Sequence, residues 1–266
     1  MEAVSIFAPE YEREEHGWIV FPRDTSLRRE LLGEELAKQL SIHPAKMNMH
    51  LCKEIIKFNT QPGQTILDPF GGVGTTLIAG TLGRNVLLCE LEQVYFDIAQ
   101  KTAETYTSAY PGVNLMVFQG DNQQLLPIPC DHIITSPPYG NDLYKKEGQA
   151  LDESIQDSVT AYGASALNIG QLNPFLYNQA MIKLYKKMVA SLRPGGTITI
   201  THRDRTRGDE RLLYGLEIMR TMSDLGMKLT WWEKWKAPGS IQSRVNEKKG
   251  AIVILDEDIL CFSKAN

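Results

Sequence analysis

Cysteine is scarce in this 266-residue sequence: four thiols, Cys52, Cys89, Cys130 and Cys261, stand far apart. They form no Cys-x-x-Cys pair and no Cys/His group at zinc spacing. A disulfide scaffold and a structural zinc site are therefore excluded, which leaves buried thiols in a reducing compartment. Long apolar runs are missing too; none reaches the length of a membrane span. The N-terminal "MEAVSIFAPEYEREEHG" lacks the pattern of a signal peptide. Positive charge is not in excess, since 28 Lys+Arg against 32 Asp+Glu give a formal net charge of -4. Any attraction to a polyanion must then come from a local basic face. Two phosphate-binding signatures are also absent. There is no Walker-type Gly-Lys-Ser/Thr, and Thr76 and Leu77 follow Gly74 where Gly-x-Gly-x-x-Gly needs a third glycine.

What is present is the composition of a soluble globular chain, 42% apolar and 23% charged, long enough to bury a full core. From about Gln61 onward, short apolar runs alternate with amphipathic stretches, the pattern of a parallel sheet wound with helices. Strands are expected at 65–70, 85–90, 114–121, 132–136 and 197–202, with helices from the glycine-rich loop to Leu82, over 93–106 and over 176–192. "RPGG" stops the last of these. A helix from about Glu210 to Leu225 precedes two final strands near 227–236 and 251–263, too close together for a helix between them and so an antiparallel hairpin. Residues 1–42 read as a separate charged arm before a domain of 43–266, and the polar stretch 140–174 reads as an irregular insertion.

Three stretches carry chemistry. "LDPFGGVGTT" (67–76) places glycines between a strand and a helix, where the backbone can turn tightly and approach a ligand. Without the phosphate signatures, a nucleoside-bearing ligand without phosphates is what remains. Glu90 ends the second strand, where an acid accepts hydrogen bonds from ribose hydroxyls, and Asp121 ends the third, where an acid can accept from an adenine amino group. "TSPPY" (135–139) ends the fourth strand with two prolines, which cannot donate to a sheet ladder.

Together with "HPAKM" (43–47) and "LCELEQVYFDIA" (88–99), these motifs resemble those of the S-adenosylmethionine-dependent DNA amino-methyltransferases, over roughly 43–140. The resemblance implies a Rossmann-like class-I methyltransferase fold, an α/β doubly wound and mostly parallel seven-strand sheet with an antiparallel C-terminal hairpin. It implies that Asp68, Phe70, Gly72, Gly74 and Thr75 cradle the methionine part of the cofactor, that Glu90 and Asp121 hold its nucleoside, and that Met47 and Asn48 flank it. In the corner, the Ser136 hydroxyl and the Pro137 carbonyl would accept both N–H bonds of an exocyclic amine, making its nitrogen more nucleophilic. Pro137 and Pro138 would fix the carbonyl's direction, and Tyr139 would stack on an extruded base.

In the family that the chain resembles, serine rather than aspartate at the first position of the corner goes with cytosine N4, so the resemblance implies cytosine N4 in double-stranded DNA as the methyl acceptor. Adenine N6 in DNA, the amino group of an RNA base and a catalytically silent nucleic-acid-binding subunit are the alternatives. Cytosine C5 chemistry is disfavoured, because the Pro-Cys of "IPCD" (128–131) lies before the fourth strand, so Cys130 reads as structural. Target recognition falls to 140–174, to the loop 237–250, to the arm or to a combination. Arg203, Arg205 and Arg207 in one basic loop, and Arg244, Lys248 and Lys249 in another, are candidate phosphate contacts. "WWEKW" (231–235) reads as strand packing. A homodimer and a cognate restriction nuclease are the further partners the resemblance allows, in a bacterial, archaeal or phage-encoded cytoplasmic protein with no metal.

Overall fold

The computed structural model describes residues 6–7, 9–43, 46–138, 165–207, 210–237 and 253–264, with the backbone alone at 205–207. Its centre is a seven-stranded sheet in the order β3-β2-β1-β4-β5-β9-β8. The strands are β1 (Thr65–Asp68), β2 (Asn85–Glu90), β3 (Leu115–Gln119), β4 (Cys130–Thr135), β5 (Leu192–His202), β8 (Met227–Lys236) and β9 (Asp256–Lys264). Ladders among β1 to β5 are parallel, while β9 runs antiparallel to both β5 and β8. This is the mostly parallel seven-strand sheet with an antiparallel C-terminal hairpin that the sequence leads one to expect.

One face of the sheet carries α1 (Thr25–Leu40), α2 (Met49–Asn59), a 3-10 helix (Thr75–Leu82) and α3 (Gln93–Ala109), around a core that includes Leu51, Ile55, Ile78 and Tyr106. The other face carries α5 (Pro174–Ser191) and α6 (Tyr214–Asp224), with Leu184, Met188, Met222 and Phe262 buried against the sheet. The short α4 (Asn122–Leu125) follows β3. Adjacent residues such as Ile66 and Leu67 are both fully buried, one towards each face, which is why these strands read as continuous apolar runs.

Three local expectations need correction. The charged arm is not separate: its Phe7, Ile19, Phe21, Leu32 and Leu40 are buried in the same core as Met49 and Ile55. Its apolar residues are too irregularly spaced to show a period, because a left-handed Gly33 (φ 78°) interrupts α1. Ile19 also pairs with Trp235 of β8. "RPGG" does not separate helix from strand, since β5 begins at Leu192 and bulges between its pairings Cys130↔Leu192 and His132↔Thr197. The helix expected from Glu210 starts only at Tyr214, because Glu210–Leu212 (β7) pairs with Arg205–Arg207 (β6) as a separate hairpin.

Candidate active site

The strand order reverses between β1 and β4, and ligands of wound sheets bind at the carboxyl ends beside such a point. A cavity lies there. Met47, Phe70, Gly72, Thr75, Glu90 and Asp121 line it, together with Ser136, Pro137 and Pro138, so cofactor motif and corner share one space.

The glycine loop is shaped by close approach. A Cβ on Gly71 would sit 2.0 Å from Leu88 Cδ2, so only glycine lets the loop lie against β2. Gly74 takes a left-handed φ of 85° at the start of the 3-10 helix, and it is absent from the cavity lining, so its part is to turn the chain. The Gly72 amide donates to Glu90 Oε2 at 2.7 Å, and the Glu92 amide donates to Oε1 at 2.8 Å. Burial outweighs these donors and pushes the Glu90 carboxyl up to about 7.

Asp68 lines the cavity and also ties its walls together. Thr76 Oγ1 donates to its Oδ2 at 2.7 Å, while Thr135 Oγ1 (2.7 Å) and the Phe70 amide (3.1 Å) donate to Oδ1. One buried carboxylate thus joins the glycine loop to the residue just before the corner. Burial raises its carboxyl above the usual range despite these donors. Asn48 is spent in a similar way: it caps α2 by accepting from the His50 and Leu51 amides and is not among the lining residues. Asp121 lines the cavity and caps α4 through the Gln123 amide.

Tyr139 lies outside the described residues, as do Arg244, Lys248 and Lys249, and the side chains of Arg205 and Arg207 are not described. Arg203 is not a free phosphate contact. Its Nη2 pairs with Glu257 Oε1 at 2.9 Å. Beside it, Arg211 bridges Asp204 (2.8 Å) and Asp256 (2.6 Å), and Lys234 bridges Asp256 (2.6 Å) and Asp258 (2.9 Å). This network anchors the β6–β7 hairpin with charges that the sequence alone leaves looking solvent-directed. In "WWEKW", Trp235 is buried and Trp231 packs against the core as expected, whereas Trp232 is exposed; their indoles donate to Glu257, Asn59 and Asp258. Cys130 begins β4, at the end of the strand away from the corner, and burial pushes its thiol up to about 12, consistent with a structural role.

Several lining residues carry no signal of their own in the sequence. His43 and Lys46 belong to "HPAKM", and their rings and chains reach the cavity, with His43 edge-on to Tyr95 at 4.5 Å. Arg28 of α1 donates to the Met47 carbonyl at 3.0 Å and pairs with Asp24 at 2.7 Å, tying that segment to the arm. Glu92, Asn168 and Ile169 complete the wall. Of these three, only Glu92 falls within a quoted motif, "LCELEQVYFDIA".

Residues 10–101 match the DNA methylase family of N6 and N4 amino-methyltransferases. The type II methyltransferase M2.DpnII of Streptococcus pneumoniae is 38% identical over 74 residues, 27% of this chain and 28% of that protein. Over this stretch the chain is similar to the DNA amino-methyltransferases. The match and the fold support S-adenosylmethionine as the cofactor. The aligned part spans little more than a quarter of that relative's length. The match begins at residue 10, so it takes in the arm that the motifs left out. Among solved structures, TrmN from Thermus thermophilus is 16% identical with a TM-score of 0.53, covering 90% of this chain and 53% of that chain. A methyltransferase from Pyrococcus furiosus is 15% identical with a TM-score of 0.50, covering 91% of this chain and all (100%) of the other. These likenesses establish the fold. No helix among the described residues is long and apolar enough to cross a membrane.

Proposed function

We propose that this amino-methyltransferase methylates cytosine N4 in double-stranded DNA, with the target base turned out of the helix. The observation that carries the reading is the shared cavity: the corner Ser136-Pro137-Pro138 opens into the same space as Glu90 and the glycine loop. The serine at the first position of that corner favours cytosine over adenine.

The lining suits the cofactor chemically. Glu90 offers an ionisable acceptor for a pair of ribose hydroxyls, Asp121 an acceptor for an adenine amino group, and Lys46 a cation for a ligand carboxylate. Phe70, Gly72 and Thr75 lie between them, with Met47 on the flank. When bound, S-adenosylmethionine supplies a methyl group on a positively charged sulfur. The chain's own task is to orient the acceptor amine. Ser136 Oγ and the Pro137 carbonyl each accept one N–H bond, which draws the nitrogen lone pair out of conjugation and aims it along the line of displacement. No residue needs to form a covalent bond; as the nitrogen takes up the methyl group it gives up one N–H proton to solvent. Asp68, bonded to both Thr76 and Thr135, sets the spacing between cofactor loop and corner.

Treated DNA digested to nucleosides and resolved by mass spectrometry should contain N4-methylcytosine. Ser136→Ala should lower kcat roughly a hundredfold or more, the usual loss of one positioned hydrogen bond, with cofactor affinity unchanged. N6-methyladenine in its place would keep the transfer but overturn the acceptor. Neither product on any DNA would overturn the reading.

A further inference from the structure

The chain leaves the corner after Pro138 and is described again from Ser165. The returning stretch then grips the place it left. The Ser165 amide and Asn168 Nδ2 both donate to Glu92 Oε1 at 3.2 Å, two residues from Glu90. Gly170 lies so close to the corner that a Cβ there would stand 3.1 Å from Pro138 Cβ. Asn173 caps α5, and one turn in, the buried Tyr177 donates its hydroxyl to the Pro138 carbonyl at 2.8 Å. Contacts from 165–177 thus reach both the cofactor side of the cavity and the corner.

The corner needs such a hold for a chemical reason. Pro137 and Pro138 have no N–H, so two consecutive residues cannot be tied down by backbone donors. Carbonyls are the remaining backbone handles, and the Pro137 carbonyl is reserved for substrate under the proposed mechanism. The next carbonyl, that of Pro138, is the one Tyr177 holds. We propose that Tyr177 is a positioning residue for methyl transfer. Its hydroxyl fixes the peptide plane after Pro138 and thereby the aim of the two acceptors before it. The assignment rests on the acceptor roles given above to Ser136 and Pro137.

Tyr177→Phe in the full chain keeps the ring and removes the bond. Orientation losses of this kind cost up to about a hundredfold in rate, so kcat should fall roughly ten- to a hundredfold. The cofactor Kd should stay within about twofold, because no cofactor contact is removed. In protein carrying carbonyl-13C proline, the Pro138 carbonyl resonance should move upfield as its hydrogen bond is lost. Gly170→Ala, whose Cβ would stand 3.1 Å from both Pro138 Cβ and Asn168 Oδ1, should also lower kcat. A lowered melting temperature with unchanged kcat in both variants would overturn the proposal, as would a stationary Pro138 resonance. A shifted resonance in a chain whose parent form transfers no methyl group would support the hold on the corner while sinking the reaction assigned to it.

Discussion

Glu90 is the residue whose chemistry can be followed most directly. Water is largely excluded from its carboxyl, so the neutral form persists up to about pH 7, well above the ordinary value of 4.5. A protonated carboxyl is the poorer acceptor for ribose hydroxyls. Affinity for S-adenosylmethionine should therefore be full near pH 8 and weaken below 7, by up to about tenfold per unit. Titration calorimetry at several pH values checks this, and Glu90→Gln should flatten the dependence. Stability carries the opposite sign. A carboxyl raised on folding favours the fold below its unfolded value of 4.5, and that contribution is lost as the pH rises through 7. The unliganded protein should accordingly tolerate mild acid well, while the bound cofactor should offset the loss at higher pH.

Among the elements, β2 and the glycine loop depend on each other. Gly71→Ala would force a methyl group into Leu88, which is fully buried. Overpacking of this kind costs about 1–3 kcal/mol, so urea unfolding should shift by that amount and cofactor affinity should fall with it. The same stretch shows what the sequence makes legible. Strand β2 was expected at 85–90 and lies there, because its apolar run has a polar or charged residue at each end. The β6–β7 hairpin escaped notice because "RTRGDERL" has no apolar period and its fixed position comes from Asp204 and Asp256, the latter 45 residues from Arg211. Tyr177 was legible only as part of an amphipathic helix. Its bond to Pro138 spans 39 residues, and periodicity carries no information at that range. The cavity-lining motifs were readable because strand ends and glycine turns are local. Asp68 and Asn48 show the limit, since a motif names a residue but not the partners that occupy its oxygens.

At the scale of the whole molecule, the net charge of -4 gives no overall attraction to a polyanion, and the guanidinium groups of Arg203 and Arg211 are paired with carboxylates. The pairing of Ile19 with β8 has a consequence of another kind. Strand β8 ends the sheet, and a bare outer strand offers a row of unpaired donors and acceptors to any other extended chain. Here the Ile19 amide donates to the Lys234 carbonyl at 3.0 Å, and the Lys236 amide donates to the Ile19 carbonyl at 2.8 Å. One residue from far upstream thus blocks the carboxyl end of that edge. Ile19→Pro removes the donor and loosens the plug. Light scattering should then report stronger concentration-dependent self-association of folded protein than the parent chain shows. The upstream segment would so keep copies of the protein from joining sheet to sheet.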